Sequence, residues 1–485
     1  MSHMGFDLAA SACEEMLHEG FHPDFPPGTN EQLTALRGRP APLAGGDVED
    51  LRALLWSSID NDTSRDLDQI EYAERVAGGI RVLIGIADVD SDVATKTPVD
   101  QHASDQTTTV YTEVRTFPML PEELSTDLTS LNENVDRLAV VVDFTVAADG
   151  SIASSAIRRA LVRNKAQLTY DGVGLWLEGT SAAPAKVAAS ADLQAQLRLQ
   201  DAAAGALREK RHELGALDFD RTEAQPVISN GVVTGIAAHR KNRASALIED
   251  FMVAANEVMA RTLTDAGVAS IRRVVKVPER WPRIVDLAAQ HGTTLPGEPD
   301  SGALAAFLAK QKLADAVHYE DLSLAVIKLL GPGEYVVLRP GESALGHFGL
   351  AAHDYTHSTA PNRRFADLVT QRLIKAVLAK QPPPYASGAL DSIASNCTLK
   401  EDGARKVERT MQKRVAAVAL HDRVGQSFAA VVTGVTPKGV FVRVFNPPVE
   451  GRLMRGEQGL DVGDQLRVTL LATDPQRGYI DFGRG

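Results

Sequence analysis

Cysteine is nearly absent: Cys13 and Cys397 are the only two among 485 residues. They lie far apart, without the spacing of metal ligands, which excludes a disulfide scaffold and a zinc site and points to a reducing compartment. Long apolar runs are missing too. No stretch approaches the 18 or so residues of a membrane-spanning helix, and Met1-Ser-His-Met4 reads as an expression scar rather than a signal peptide, so the expectation is a cytoplasmic, soluble protein with no membrane partner. Positive charge is in deficit, with 51 Lys and Arg against 63 Asp and Glu and a net charge of −12. A nucleic-acid partner would therefore need a local basic lining, because phosphate contacts require local positive charge whatever the total. What is plentiful is core material: 44% hydrophobic residues over a length that suggests about three domains.

The charge that is present is concentrated. Between Trp56 and Tyr72 the carboxylates Asp60, Asp62, Asp66 and Asp68 stand between two apolar runs. Asp66 and Asp68 alternate with Leu67 and Ile70 at strand period, which predicts that their carboxylates share one face, with Asp60 returning to meet them. Like charges so close raise one another's pKa unless a cation neutralises them, and the hard, oxygen-loving choice is magnesium. A calcium loop is excluded, since D-x-D-x-D-G with a Glu at position twelve is absent. The plainer alternative is a solvated acidic turn, whose side chains bond their own backbone.

Asp60, Asp66 and Asp68 in D-x5-D-x-D spacing, followed by Ile84-Gly-Ile-Ala-Asp88, resemble the opening of the catalytic domain of the ribonuclease II/ribonuclease R (RNB) family. The resemblance continues in order through Phe117-Pro-Met-Leu-Pro121, Ser130-Leu-Asn-Glu-Asn, Ala166-Gln-Leu-Thr-Tyr170, Gly215-Ala-Leu-Asp-Phe219, Ile248-Glu249-Asp-Phe-Met252, His347-Phe-Gly-Leu350 and Tyr355 to Asp367, covering roughly residues 50 to 420. It implies an α+β fold: a short helical and loop extension over 1–48, a large RNB catalytic domain of mixed sheets and helices over 49–422, and a small all-β OB barrel over 423–485. The cold-shock-type OB folds that usually precede the catalytic domain do not fit in the first 50 or so residues.

Local patterns place the elements. Helical spacing covers residues 6 to 19, a second short helix is expected near Asn30, and 80–86 and 138–144 are β-rich. Leu247, Ile248, Phe251, Ala255, Val258 and Met259 form an apolar helical stripe read as core. A further helix is expected from Asp402 to about Leu420, burying Val407, Met411, Val415 and Val418. Beyond it, short strands parted by Gly-rich turns look like the S-one-type RNA-binding OB fold, in which Phe428 and Phe441 are candidates either for base stacking or for barrel core. Residues 424–485 carry a net charge of +1 on a chain otherwise at −13.

For chemistry, the resemblance implies a 3′-5′ exoribonuclease that threads single-stranded RNA and releases 5′-mononucleotides by a two-metal-ion mechanism with Mg2+, Mn2+ being possible. Asp60, Asp66 and Asp68 would hold the metals, and Arg363 falls on the family's catalytic arginine. Tyr111 and Phe219 fall on base-clamping positions, Tyr170 and Glu408 on contacts to the terminal nucleotides, and Glu249 on a contact to the 2′-hydroxyl. The family's fourth Asp is Gln69 here, a neutral ligand, and its Ser-Pro-Ile is Ala360-Pro361-Asn362. The alternative function is a catalytically weakened RNB-fold protein that binds RNA 3′ ends; a monomer is expected in either case.

Overall fold

Runs of β-branched residues decide the centre of the molecule, because such side chains favour extended backbone and pack well on a pleated surface. The computed structural model describes residues 6–220, 222–229, 232–315 and 318–485. Its main sheet has six strands, in the order Val48–Asp50, Ile152–Thr169, Trp56–Asp60, Gln69–Val76, Gly79–Ala87 and Asp136–Val146. The strand Ile152–Thr169 is 18 residues long and serves two partners. Its first part runs antiparallel to 136–146, with Asp136 opposite Arg163, and its last part runs parallel to 56–60, with Thr169 opposite Asp60. The pairing therefore closes into a ring, with Asp60 at one rim.

The helices Ala191–Glu213 and Arg243–Asp265 cover the sheet, and the expected stripe from Leu247 to Met259 is buried. Asn242 starts the second of them. Its side chain accepts from the backbone of Ala244 and Ser245 while the Ser245 hydroxyl accepts from the Asn242 N–H, a reciprocal cap that satisfies orphan donors at the helix start.

The helix before the barrel runs over Ser387–Leu420, 34 residues, and begins well before Asp402. Leu390, Ala394, Cys397, Ala404, Val407, Met411 and Val415 form one buried stripe at three-to-four spacing, while Val418 is only half-buried. Gly403 sits inside the stripe because the Phe21 ring closes on it; a Cβ there would lie 3.2 Å from that ring. Phe21 follows the N-terminal helix Leu8–His18, which packs along the long helix, and Thr29–Arg37 is the expected second helix. Three further helices, Trp281–Gln290, Ser301–Ala314 and Tyr319–Leu330, share a small core of their own around Trp281, Phe307 and Tyr319.

The C-terminal strands Ser427–Thr436, Gly439–Phe445, Pro448–Arg455, Gln465–Asp474 and Tyr479–Arg484 close a barrel. Phe428 is barrel core, edge-on to Phe482 at 6.3 Å, whereas Phe441 is half-buried. Arg443 points back to the three-helix unit and pairs with Glu320 and Asp321, each at 3.0 Å. No helix among the described residues is long and apolar enough to cross a membrane.

Candidate active site

The acidic stretch is a loop, not a strand: Asp60 ends Trp56–Asp60, and the next strand begins at Gln69. Asp66 and Asp68 owe their placement to tethers rather than to pleat. Ser130, fully buried, accepts from the Leu67 N–H at 3.0 Å and donates to the Arg65 carbonyl at 2.8 Å, and the Leu131 N–H reaches the Leu67 carbonyl at 3.0 Å. The Ser130-Leu131 pair thus folds the loop back against the ring.

Asp60, Asp66, Asp68 and Gln69 line one cavity of about 440 Å³ together with Tyr111, Tyr170, Glu249 and Arg363, eight of the ten residues singled out from the sequence. They surround a space rather than meet at a point. Among the described residues the one group of three His, Cys, Asp or Glu side chains with ligand atoms within 4.8 Å of one another is Glu15, His18 and Glu19, on the N-terminal helix. There Arg414 and Lys406 already pair with Glu15 and Glu19. Asp62 is exposed and does not line the cavity.

Electrostatically the cavity is short of positive charge, since among the described residues Arg363 is the one cation that lines it. Asp68 is 3% exposed and accepts from the Asn362 N–H at 3.1 Å, with Arg363 Nε at 3.7 Å. Burial nonetheless pushes its pKa up to about 7, against the pull of Arg363. Burial also raises Asp60, although its carboxylate accepts from the Asn61 N–H and the Ser64 hydroxyl. Gln69 is 8% exposed, and among the described residues its side-chain amide has no hydrogen-bond partner. Three carboxylates held in deficit of cation, beside an amide with no protein partner, form an all-oxygen donor set that fits a hard divalent ion.

Arg363 is half-exposed and held only loosely, by Asp68 at 3.7 Å, because its neighbour takes the structural partner Asp367. Arg364, not Arg363, pairs with buried Asp367 at 2.7 Å, and Asp367 also accepts from the Ala360 N–H, which braces the 360–367 loop. Asn362, in the departure from Ser-Pro-Ile, is buried and bonded to the Thr129 hydroxyl at 2.6 Å, so the loop is buttressed through its side chain.

Tyr111 and Arg363 also line a second cavity of about 220 Å³, with Thr107, Thr108, Thr109, Arg405 and Glu408. Glu408 accepts from the Tyr111 N–H at 3.1 Å, and the Tyr111 hydroxyl donates to Asp66 at 3.4 Å, so this ring stands between the two spaces. On the far wall Asn242 donates to the Tyr170 carbonyl at 3.1 Å and pins Tyr170 to the helix that carries Glu249. Gly174 allows that contact, since a Cβ would come 2.4 Å from the Asn242 side chain. Glu249 itself pairs with Lys241 at 2.6 Å. Phe219 lines neither cavity; it is half-buried against the core of the three-helix unit. Sequence reasoning gave no role to Ser64, Ser130, Ser245 or Thr359. Of these, only Ser64 carries a signal, its place four residues after Asp60.

With this geometry in view, comparison with known proteins is specific. Residues 48–380 match the RNB domain, and residues 426–485 match the RNase II-type exonuclease C-terminal S1 domain. Ribonuclease R 1 of Lactococcus lactis is 29% identical over 468 residues, which cover 89% of this chain and 56% of that protein. The chain thus spans little more than half the length of that curated relative. Mycoplasma genitalium RNase R, solved in complex with ribose-methylated single-stranded RNA, has the same fold, with a TM-score of 0.88 at 22% identity over 99% of this chain and 78% of that one. So does yeast Ssd1, a pseudonuclease, with a TM-score of 0.73 at 17% identity over 97% of this chain and 58% of that one.

Proposed function

We propose, from the premise that this chain belongs to the RNB family, that it is a metal-dependent 3′-5′ exoribonuclease acting on single-stranded RNA and releasing 5′-mononucleotides. The observation that carries the reading is the shared cavity: Asp60, Asp66, Asp68, Gln69, Tyr111, Tyr170, Glu249 and Arg363 come together from segments up to about 300 residues apart. Asp60, Asp66, Asp68 and the Gln69 amide would hold magnesium, or manganese in its place. Such ions, when bound, lower the pKa of the attacking water and neutralise the leaving oxygen.

The protein's own groups do the rest. Arg363, half-exposed and unclaimed by Asp367, grips the scissile phosphate as charge develops on it. The Tyr111 ring, 43% exposed, offers a base-stacking face that tolerates any sequence, and Glu408 fixes its backbone. Tyr170 and Glu249 stand on the opposite wall as partners for the terminal ribose, whose 2′-hydroxyl is the handle that separates RNA from DNA. We divide the chain into an extension over 1–48, a catalytic domain over 49–422 and an RNA-binding barrel over 423–485, and infer a cytoplasmic monomer, in keeping with two free cysteines.

The test is 5′-labelled single-stranded RNA and matching DNA incubated with the protein and magnesium or manganese. A ladder that shortens from the 3′ end on RNA but not on DNA supports the reading. Gln69 favours a second one, a weakened enzyme that holds RNA 3′ ends, since the site has one carboxylate fewer and Ssd1 has the fold as a pseudonuclease. RNA binding without a ladder in either metal would select it.

A further inference from the structure

Left-handed backbone is unfavourable for any residue with a Cβ and most of all for a β-branched one, which makes Thr107 an exception in this chain. It closes the helix Pro98–Gln106 with φ 57° and ψ −21°, and among the described residues it is the one β-branched residue at positive φ. Glycine or asparagine would take the same turn with less strain, so the turn itself has no need of a threonine. The strain sits where two parts of the site meet. The Phe365 N–H donates to the Thr107 carbonyl at 2.8 Å and the Thr109 N–H to the Arg363 carbonyl at 2.9 Å, so the segment that leads to Tyr111 is strapped to the loop that carries Arg363.

Thr107, Thr108 and Thr109 all line the cavity of about 220 Å³. Two of their hydroxyls are engaged: Thr108 donates to the Arg363 carbonyl at 3.3 Å, and Thr109 accepts from the Met119 N–H at 3.0 Å. The Thr107 hydroxyl has no hydrogen-bond partner among the described residues, although the residue is only 4% exposed. An unpaired hydroxyl in the interior is unfavourable, and backbone outliers of this kind gather where a ligand is held. The cavity is poorly suited to a phosphate, because Asp367 takes Arg364, Glu401 takes Arg405, and Arg363 is shared with the acidic space. It suits a flat, uncharged group, with the Tyr111 ring as the wall between the two spaces and room for a single base rather than a strand.

We infer that Thr107 is a substrate-contacting residue whose hydroxyl hydrogen-bonds the base of the 3′-terminal nucleotide in this smaller cavity, while the phosphate and ribose of that nucleotide stay in the acidic one. Its β-branch stiffens χ1 and fixes the direction of the hydroxyl. A hydroxyl both donates and accepts, so the contact seats a base without selecting its identity. The inference rests on the proposed action at RNA 3′ ends.

The test compares two short single-stranded RNAs, one intact and one whose 3′-terminal residue lacks its base, and reads kcat/KM for removal of that residue in wild type, Thr107→Val, Thr107→Ser and Thr107→Gly. Urea midpoints control for folding. Wild type should lose roughly tenfold or more when the base is absent. Thr107→Val keeps shape and strain but not the hydroxyl, and is expected to lose roughly three- to tenfold on the intact strand and less than about twofold on the abasic one. Thr107→Ser should stay within about threefold of wild type on both strands. Thr107→Gly should keep or raise the urea midpoint and still lose kcat/KM on the intact strand, a combination that a role in the turn alone does not give. Equal losses for Thr107→Val on both strands overturn the inference, as does wild-type kcat/KM in Thr107→Val or Thr107→Gly. If wild type removes neither terminal residue in magnesium or manganese, the proposed hydrolysis falls, and the same four proteins and two strands are compared by fluorescence anisotropy, where the same pattern in affinity sustains the contact and its absence removes it.

Discussion

At the scale of single residues, Asp68 is the most exacting position, buried, touched by one backbone N–H and one guanidinium, and left with a raised pKa. Asp68→Asn removes the charge and keeps the shape. Metal-assisted charge stabilisation is worth several kcal/mol, so turnover should fall by roughly two orders of magnitude or more, while RNA affinity measured by fluorescence anisotropy stays within about threefold. Near wild-type turnover would remove these aspartates from the chemistry. Gln69→Asp should act in the other direction and lower the magnesium concentration needed for half-maximal rate; superimposable titrations would make Gln69 a neutral replacement. The carboxylates that line the cavity were picked out by the D-x5-D-x-D spacing together with the family blocks that follow it, since crowding alone is equally a pattern of solvated turns. Their tethers were not. Ser130 and Asn362 hold Asp68 and its loop from far along the chain, Ser130 through two hydrogen bonds and Asn362 through one, and such bonds leave no periodicity to read.

Elements add a second layer of control, most clearly at the start of the helix Arg243–Asp265. Asn242 caps that helix and also fastens Tyr170, so one side chain sets the distance between two walls of the cavity. Asn242→Ala should cost about 0.5–2 kcal/mol by loss of the cap. It should also raise KM for short RNA, because the wall carrying Glu249 is no longer pinned. Urea denaturation and steady-state kinetics check the two effects, and an unchanged KM would confine Asn242 to stability. Strand and helix cores were readable from β-branched runs and from the stripe Leu247 to Met259. The long helix was read some fifteen residues short, and the reason Gly403 is tolerated inside it, the Phe21 ring, comes from the opposite end of the chain.

Across the whole molecule, charge that looks available in the sequence is partly spoken for. Arg443 counts toward the basic barrel but is held by Glu320 and Asp321. Arg443→Glu sets like charges against each other there, so limited proteolysis should cut the segment between Arg423 and Ser427 faster than in wild type; identical rates would show that the barrel docks without this pair. Acid sensitivity is a second global property. His102 is buried against Phe25, with ring centroids 4.3 Å apart, and burial pushes its pKa down to about 4. Between the ordinary histidine value of about 6.5 and that value the unfolded chain binds the proton and the folded one does not, so this stability is intact at neutral pH and lost as pH falls through the window. His102→Gln should shrink the drop in urea midpoint between about pH 7 and about pH 5, and an equal drop in both proteins would discount the histidine. The helix Ser387–Leu420 joins these distant regions. Glu408 on it holds Tyr111, while Arg414 pairs with Glu15 and bonds the Gln476 carbonyl of the barrel. A helix turns about 100° per residue, so one residue inserted or deleted between Glu408 and Arg414 would swing the barrel contact to another side of the axis, although every side chain survived. This stretch can drift in composition over evolution, but its length is locked.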